Sequence, residues 1–307
     1  MDRFSRHYAV VKPPALKEGG TIGVVAPSGR VDADQLQRGV YWFEERGYKV
    51  VLGRHLEKAH RYFAGVDEAR AEDVQNMFQN PAVDAIVCAR GGVGAARVIP
   101  LLDAVQLVQF PKIFVGSSDI TTLLLYFNQV LGWVTFHGPM VATVFGNNPA
   151  PRLAAEFFQV LSGQVNDMVF EGVRALRHGA GEGILTGGCL TLMCTTIGTP
   201  YEIVTDDKIL FIEDVNEAPF RIDRMLSYLK TLGKFKRIRG LVFGQMPQCR
   251  PEDLPEIILD IFNDSDFPIL FGFPSGHGDG TATLPFGLPV QVNSKTLSVR
   301  MLAPAVQ

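Results

Sequence analysis

The sequence predicts an α/β protein with a parallel sheet in its first half and a smaller β/α unit in its second half. Apolar strands alternate with helices throughout the first half, an order that favours a parallel sheet with right-handed crossovers. The strands are also continuous apolar runs, which is typical of strands buried on both faces.

Four strands and four helices account for the first half of the chain. The first helix carries Leu36, Val40 and Phe43 on one face, and the second repeats that spacing with Val74 and Phe78. The strands with their closing turns cover residues 21–29, 48–53, 82–92 and 112–119, and the helices cover 32–47, 67–80, 96–105 and 120–132.

A domain linker is predicted between about residues 140 and 182, where Pro, Gly and Asn interrupt the pattern. We predict an N-terminal domain over residues 1–165 and a C-terminal domain over residues 166–307. The second domain contains a strand, a helix, a strand, a helix and a hairpin, over residues 208–215, 219–233, 239–246, 252–264 and 289–302.

Composition excludes several classes of protein. The chain has 307 residues, of which 47% are apolar, and a formal net charge of −3. Nucleic-acid binding usually needs a basic excess, so we expect neither nucleic acid nor an anionic membrane surface as a partner. The N-terminus lacks the apolar core of a signal peptide, and no segment approaches the ~20 apolar residues of a membrane span. A cytoplasmic location is therefore expected.

The cysteines predict free thiols rather than a disulfide framework or a metal site. None forms a CxxC pair, and no histidine cluster has the spacing of metal ligands. We expect no metal and no cofactor. The four cysteines are Cys88, Cys189, Cys194 and Cys249.

The segment GSSDITTLLLYF contains the candidate nucleophile, Ser118. A buried strand leads to this corner and an apolar helix follows at once. A serine there lies beside unpaired helix amides and the positive end of the helix dipole, which can hold a developing oxyanion. The corner is similar to the nucleophile elbow G-x-S-x-G without its last glycine. The alternative is that Ser118 or Asp119 only caps the helix.

The segment CARGGVGAAR ends another predicted strand. Gly91 and Gly92 permit positive φ angles and close backbone approach, so this loop could supply a second oxyanion amide. The alternatives are a plain tight turn and a phosphate loop, although the glycines match neither GxGxxG nor GxxxxGK[ST].

Two further segments supply a candidate acid and a candidate base. Glu213 ends an apolar strand and could orient a histidine, with Asp214 and Glu217 as rivals that could all be loop or capping acids. His277 lies in the glycine-rich loop GFPSGHGDG and is the candidate general base, with His137 in TFHGPM as its rival. Strand ends and loops of this kind are where sites collect in open α/β sheets.

These motifs together resemble the LD-carboxypeptidase family. The resemblance covers about residues 20–295, in the order VAPSG, CARGGVGAAR, GSSDIT, TFHGPM, IEDVNEAPFRIDRML and SGHG…TLPFG. It implies a Rossmann-like or flavodoxin-like N-terminal domain, a smaller C-terminal β/α domain, and an active site between them. It also implies a homodimer.

The resemblance assigns roles to individual residues. It implies a metal-independent triad of Ser118, Glu213 and His277. The backbone amides of Gly92 and Asp119 would form the oxyanion hole. The implied activity is cleavage of an L,D-peptide bond that releases terminal D-alanine from a murein tetrapeptide in peptidoglycan recycling. The expected partner is therefore a small muropeptide.

Two positions depart from the pattern of the family, and both bear on substrate fit. Val93 stands where tyrosine often follows the glycine pair, and Cys189 stands where asparagine often precedes the IGTP segment. An exopeptidase must also bind a free carboxylate, which arginine does best through a bidentate pair. The candidates are Arg90, Arg97 and Arg221. Arg224 could equally be a charge on the surface of its helix.

Two other functions are open at this level. An immunity peptidase of the microcin C type would keep the same triad and change the substrate. A small-peptide-binding protein without enzymatic activity would also have two α/β domains around a cleft. Such binding proteins normally carry an export signal, and none is visible here.

Overall fold

The computed structural model describes residues 10–164, 167–170, 172–278 and 281–307. Strands and helices alternate along this chain. The strands are β1 (Thr21–Val25), β2 (Lys49–Leu52), β3 (Ala85–Cys88), β4 (Ile113–Gly116), β5 (Thr135–His137), β6 (Asp167–Val169), β7 (Arg174–Arg177), β8 (Ala180–Cys189), β9 (Lys208–Glu213), β10 (Gly240–Gln245), β11 (Ile269–Gly276), β12 (Leu284–Phe286), β13 (Pro289–Asn293) and β14 (Ser298–Met301). The helices are α1 (Ala33–Glu44), α2 (Asp67–Gln79), α3 (Ala95–Val98), α4 (Ala104–Leu107), α5 (Thr121–Gln129), α6 (Pro151–Leu161), α7 (Leu190–Thr195), α8 (Pro219–Thr231) and α9 (Leu254–Ile261).

The first sheet has six strands in the order β12-β5-β4-β3-β1-β2. Its strands β1 to β5 are parallel, and β12 pairs antiparallel with β5. Every residue of β3 and β4 is buried, as their continuous apolar runs predict. The predicted α/β class and the parallel N-terminal sheet are therefore confirmed.

The second sheet has eight strands in the order β6-β14-β13-β8-β9-β10-β11-β7. Its central strands β8 to β11 are parallel, and the flanking strands pair antiparallel. The predicted C-terminal hairpin is the antiparallel pair β13 and β14.

The segment predicted as a linker contains more structure than its composition indicates. Helix α6, strands β6 and β7 and the start of β8 lie within residues 140–182. Strand β8 is rich in glycine, which obscures it in the sequence because glycine weakens strands. Glycine is required there, because a Cβ on Gly187 would lie 1.8 Å from the Phe211 carbonyl oxygen on β9. Strand β12, from the second half of the chain, joins the first sheet. The domain boundary at residue 165 stays a prediction.

Helix α5 joins the two hydrophobic cores. Leu123 and Leu124 pack in the core around the first sheet, whereas Leu125 packs in the core around the second sheet. All seven residues from Thr121 to Phe127 are buried, so the helix is enclosed on every side. The corner that precedes α5 therefore lies where the two sheets meet.

Two further observations concern the helices and the cysteines. No helix within the described ranges is long and apolar enough to cross a bilayer. All four cysteines are free thiols, and three of them are buried.

A buried carboxyl on α6 anchors the segment that follows His277. Both carboxyl oxygens of Glu156 accept hydrogen bonds from the Thr283 amide, at 3.1 and 3.2 Å. Burial raises the pKa of Glu156 to about 8, although the Thr283 amide and the charge of Arg152 act to lower it. The native state therefore favours the protonated form of this side chain.

Glu156 should make the protein less stable as the pH rises. Its pKa is raised from 4.5 to about 8, so the native state holds more protons than the unfolded state within that window. The free energy of unfolding should therefore fall between those values. Glu156→Gln keeps a neutral acceptor and should reduce this fall. Guanidinium unfolding at pH 5 and pH 8 measures it, with the exposed Glu182→Gln as the control. An equal decline in wild type and Glu156→Gln would refute the prediction.

Candidate active site

The corner after β4 holds Ser118 in a strained conformation. Ser117 is extended and only 6% exposed, whereas Ser118 is half-buried and has a φ of 61°. A left-handed conformation costs a non-glycine residue about 1–2 kcal/mol. Strain of this kind at a strand-to-helix turn is typical of a nucleophile elbow. The chain can turn this sharply because a Cβ on Gly116 would lie only 2.6 Å from Ile120.

The carboxylate of Asp119 ties three strand ends together. Its Oδ2 accepts a hydrogen bond from the Ser28 hydroxyl at 2.6 Å and from the Ala95 amide at 2.8 Å. Ser28 follows β1, Ala95 follows the loop after β3, and Asp119 follows β4. The residues at the N-cap positions of this corner, Ser117 and Ile120, make no side-chain capping hydrogen bond. The Asp119 carboxylate therefore holds the corner in place instead of capping the helix.

The glycine loop lies directly against Ser118. A Cβ on Gly91 would lie 2.6 Å from the Cβ of Ser118 and 2.9 Å from its Oγ. Gly92 has a φ of 119°, a conformation that favours glycine. The loop does make a tight turn, as the alternative predicted. This turn brings the loop backbone close to Ser118. The glycine loop therefore lies beside Ser118, as an oxyanion amide supplied by this loop would require.

The buried side chain of Arg70 is hydrogen-bonded to the glycine loop. Nη1 of Arg70 donates hydrogen bonds to the Pro27 carbonyl and to the Gly94 carbonyl, the latter at 2.9 Å. Its Nη2 pairs with Asp67. The guanidinium is 1% exposed, so it joins the loops after β1 and β3 from inside the protein.

The candidate acid and base are hydrogen-bonded to each other. The distance from Nδ1 of His277 to Oε2 of Glu213 is 2.5 Å, and Glu213 is fully buried. Strands β9 and β11 both neighbour β10, so Glu213 at the end of β9 lies level with the residue that follows β11. A Cβ on Gly276 would lie 2.9 Å from Oε2 of Glu213, so glycine leaves room for the carboxylate.

Burial and charge shift the pKa of both groups upwards. Burial raises the pKa of Glu213, and this outweighs the lowering effect of the hydrogen bond and charge of His277. Burial acts to lower the pKa of His277, but the hydrogen bond and charge of Glu213, with the charge of Asp214, raise it overall. The Glu213 carboxylate thus stabilises the protonated form of His277.

A hydrogen bond from strand β8 of the second sheet to helix α5 brings this pair towards the serine corner. Cys189 pairs in register with Glu213, and its amide donates to Oγ1 of Thr121 at 3.2 Å. Thr121 is the first residue of α5 and lies three positions after Ser118. A Cβ on Gly188 would lie 2.6 Å from Thr121, so the contact requires glycine there. The carboxyl ends of β8 and β9 therefore meet the amino end of α5.

The two rival acids have other partners. Oδ2 of Asp214 accepts from the amide and the hydroxyl of Thr191, at 2.9 and 2.8 Å, and its Oδ1 accepts from the Val215 amide. Asp214 therefore fixes the turn into α7. Glu217 pairs with the exposed Arg221 at 3.3 Å, one helical turn away.

The rival base, His137, is enclosed in the core. It lies between the rings of Phe211 and Phe286, and within the described residues its two ring nitrogens have no hydrogen-bond partner. Burial, together with the positive charge of His277, lowers the pKa of His137 to about 3. His137 pairs in register with Gly116 of β4.

Sequence reasoning missed the side chains that hold the site together. Ser28 and the carboxylate of Asp119 join strand ends far apart in the chain, and only the order of the motifs could have linked them. Arg70 lies on a helix with many charged residues, where a surface position is the default expectation. No cluster of His, Cys, Asp or Glu in the part of the chain that the structure describes could hold a metal ion.

Comparison with known proteins identifies the class. The sequence pattern that defines the LD-carboxypeptidase N-terminal domain matches residues 22–138. The pattern that defines the LD-carboxypeptidase C-terminal domain matches residues 182–292. The chain is 37% identical over 300 residues to a probable murein peptide carboxypeptidase of Bacillus subtilis, which covers 95% of this chain and 93% of that protein. The chain therefore belongs to the LD-carboxypeptidase family.

Solved structures agree with this fold. A muramoyltetrapeptide carboxypeptidase from Oxalobacter formigenes has a TM-score of 0.80 and 29% identity, covering 92% of this chain and 97% of that chain. The microcin C7 self-immunity protein MccF has a TM-score of 0.91 and 23% identity, covering 97% of this chain and all of that chain. At that identity the second similarity concerns the fold alone.

Gly91→Ala should inactivate the protein without unfolding it. The new Cβ would displace Ser118, whose own Cβ would lie 2.6 Å away. A displacement of about 1 Å can cost about 100-fold in rate. Peptide hydrolysis and thermal unfolding should be measured together, with Gly198→Ala as the comparison. Its Cβ would meet nothing within 4 Å, but its φ of 82° is strained for alanine, so this variant should lose some stability and keep its activity. A fully active Gly91→Ala protein would contradict the close approach.

Proposed function

We propose that this chain is a serine carboxypeptidase that cleaves an L,D-peptide bond and releases terminal D-alanine from a murein tetrapeptide. The observation that carries the proposal is the 2.5 Å hydrogen bond between His277 and Glu213, at strand ends that meet the helix beginning after Ser118. The names of the Bacillus and Oxalobacter proteins support a murein peptide as the substrate.

The proposed mechanism assigns one role to each residue. His277, held by Glu213, accepts the proton of Ser118, and the serine oxygen attacks the carbonyl of the L-configured centre. The amides of Gly92 and Asp119 hold the resulting oxyanion, and each donor is worth about 3 kcal/mol of barrier. His277 then protonates the amine of the leaving D-alanine, and water hydrolyses the acyl-enzyme. The exposure of Ser118 relative to Ser117 supports Ser118 as the nucleophile.

The same chemistry could act on a microcin-type substrate. This is the main alternative, because the chain is 27% identical over 327 residues to the microcin C7 self-immunity protein MccF of Escherichia coli. Release of D-alanine from a tetrapeptide and cleavage of an acyl-sulfamoyl adenylate should be compared at equal enzyme concentration. Faster turnover of the second substrate would exclude the murein role. The proposal also includes a cytoplasmic location and a homodimer, both of which rest on sequence reasoning.

Ser118→Ala should abolish activity. Removing the nucleophile of a serine hydrolase costs at least about 10⁴-fold in kcat. D-alanine release from a murein tetrapeptide should be followed by mass spectrometry, and labelling by a serine-directed fluorophosphonate should be lost in parallel. Ser117→Ala is the matched control and should stay active and labelled. An active Ser118→Ala protein, or an inactive Ser117→Ala protein that is still folded, would show that the nucleophile is assigned wrongly.

Glu213→Gln should shift the pH profile of kcat/KM. His277 must be neutral to accept a proton, and its pKa lies above the ordinary value of 6.5. Activity of the wild type should therefore fall as the pH is lowered through that raised value. The variant loses the charge that raises the pKa, so its acidic limb should move to lower pH while the plateau drops by up to about 10⁴-fold.

Glu217→Gln provides the control for this experiment. Glu217 is an acid on the same segment whose partner is an exposed arginine, so its loss should leave the acidic limb unchanged. If the limb of Glu213→Gln stays in place or moves to higher pH, Glu213 does not set the pKa of the general base.

A further inference from the structure

The mechanism leaves one requirement of a carboxypeptidase without a residue. The free carboxylate of the substrate lies one residue beyond the carbonyl that Ser118 attacks, about 4 Å away by standard backbone dimensions. The group that binds it must therefore lie beside the serine corner. Arginine is the side chain best suited to this task, because its planar fork matches a carboxylate.

Two of the three arginine candidates are already paired with carboxylates. Arg97 is 57% exposed and bonds to Asp67 through Nη2 at 2.6 Å and through Nε at 2.8 Å. Arg221 is 58% exposed and pairs with Glu217 at 3.3 Å. Both side chains would have to give up an ion pair in order to bind the substrate.

Arg90 differs in position and in its contacts. It directly precedes Gly91, the residue that approaches Ser118 most closely in the glycine loop. Its Nη1 donates a hydrogen bond to the Arg30 carbonyl at 2.8 Å, which fixes the guanidinium beside the loop after β1. That loop touches the glycine loop, because the Gly29 amide donates to the Gly91 carbonyl at 3.1 Å.

The contact to Arg30 leaves one edge of the Arg90 guanidinium unused. Nε is shielded from water and has no acceptor within the described residues, and no acceptor there bonds to Nη2 either. A shielded donor without a partner costs free energy, which an incoming acceptor would recover. Nε and Nη2 form the edge that carboxylates bind in bidentate fashion.

The charge around Arg90 favours an anion. None of the described carboxylates forms an ion pair with Arg90 or with the neighbouring, exposed Arg30. Asp119, the acid of the serine corner, is buried and bonded to the Ser28 hydroxyl and the Ala95 amide. The Arg90 guanidinium thus lies beside the loop after β1 without a carboxylate partner among the described residues.

We infer that Arg90 binds the terminal α-carboxylate of the peptide substrate through Nε and Nη2. The inference rests on the proposed peptidase function and names the group that restricts it to chain ends. It also explains why the glycine loop follows an arginine, since one short segment then supplies both the oxyanion amide and the carboxylate anchor.

The test compares a murein tetrapeptide with the same peptide carrying a C-terminal carboxamide. Wild type should prefer the free acid by about 10–100-fold in kcat/KM, the range of a charge-assisted hydrogen-bond pair. Arg90→Gln should lose most of this preference by cleaving the acid more slowly while cleaving the amide at nearly the wild-type rate. Arg90→Lys should keep part of the preference, because it retains the charge but not the fork.

Arg221→Gln and Arg97→Gln are the matched controls and should keep the acid-to-amide ratio of the wild type. A ratio near one in wild type, or an unchanged ratio in Arg90→Gln, would overturn the inference while leaving the peptidase function intact. Loss of the ratio in either control would reassign the anchor. If Arg90→Gln does not fold, an unchanged ratio in Arg90→Lys overturns the inference. If wild type cleaves neither peptide, the proposed function and the inference both fail.

Discussion

The candidate site depends on the contact between the amino end of α5 and the carboxyl end of β8. The nucleophile candidate comes from the first sheet, and the acid and base candidates come from the second sheet. The hydrogen bond from the Cys189 amide to Thr121, with Gly188 pressed against the same threonine, holds these two sets of residues together. Helix α5 lies between the two cores, so the packing of both sheets supports this contact.

The buried ionisable side chains around this contact are either hydrogen-bonded or held in their neutral form. The Glu213 carboxylate has the His277 imidazole, and the Asp119 carboxylate has a hydroxyl and an amide. His137 has no such partner within the described residues, and its pKa is lowered to about 3, so it stays neutral beside His277. A second positive charge beside the base would disfavour the imidazolium, and the low pKa of His137 removes that charge.

Many features were predictable because they depend on local sequence. The apolar runs of β3 and β4 indicated buried parallel strands, and the helix after Ser118 indicated a strand-to-helix corner. Strand β8 was not predictable, because its glycines carry no strand signal and are needed only where the backbone approaches Phe211 and Thr121. The entry of β12 into the first sheet was also hidden, since a strand of three residues has no pattern of its own.

The sequence by itself determined the fold class, the family and the candidate residues Ser118, Glu213 and His277, because strand periodicity and short motifs are local properties of the chain. The tertiary structure decided which rival groups have other partners: it pairs Asp214 with Thr191, encloses His137 and leaves one edge of Arg90 free of a described partner. The reason is physical, since hydrogen bonds and burial depend on distances between residues that are far apart in the chain.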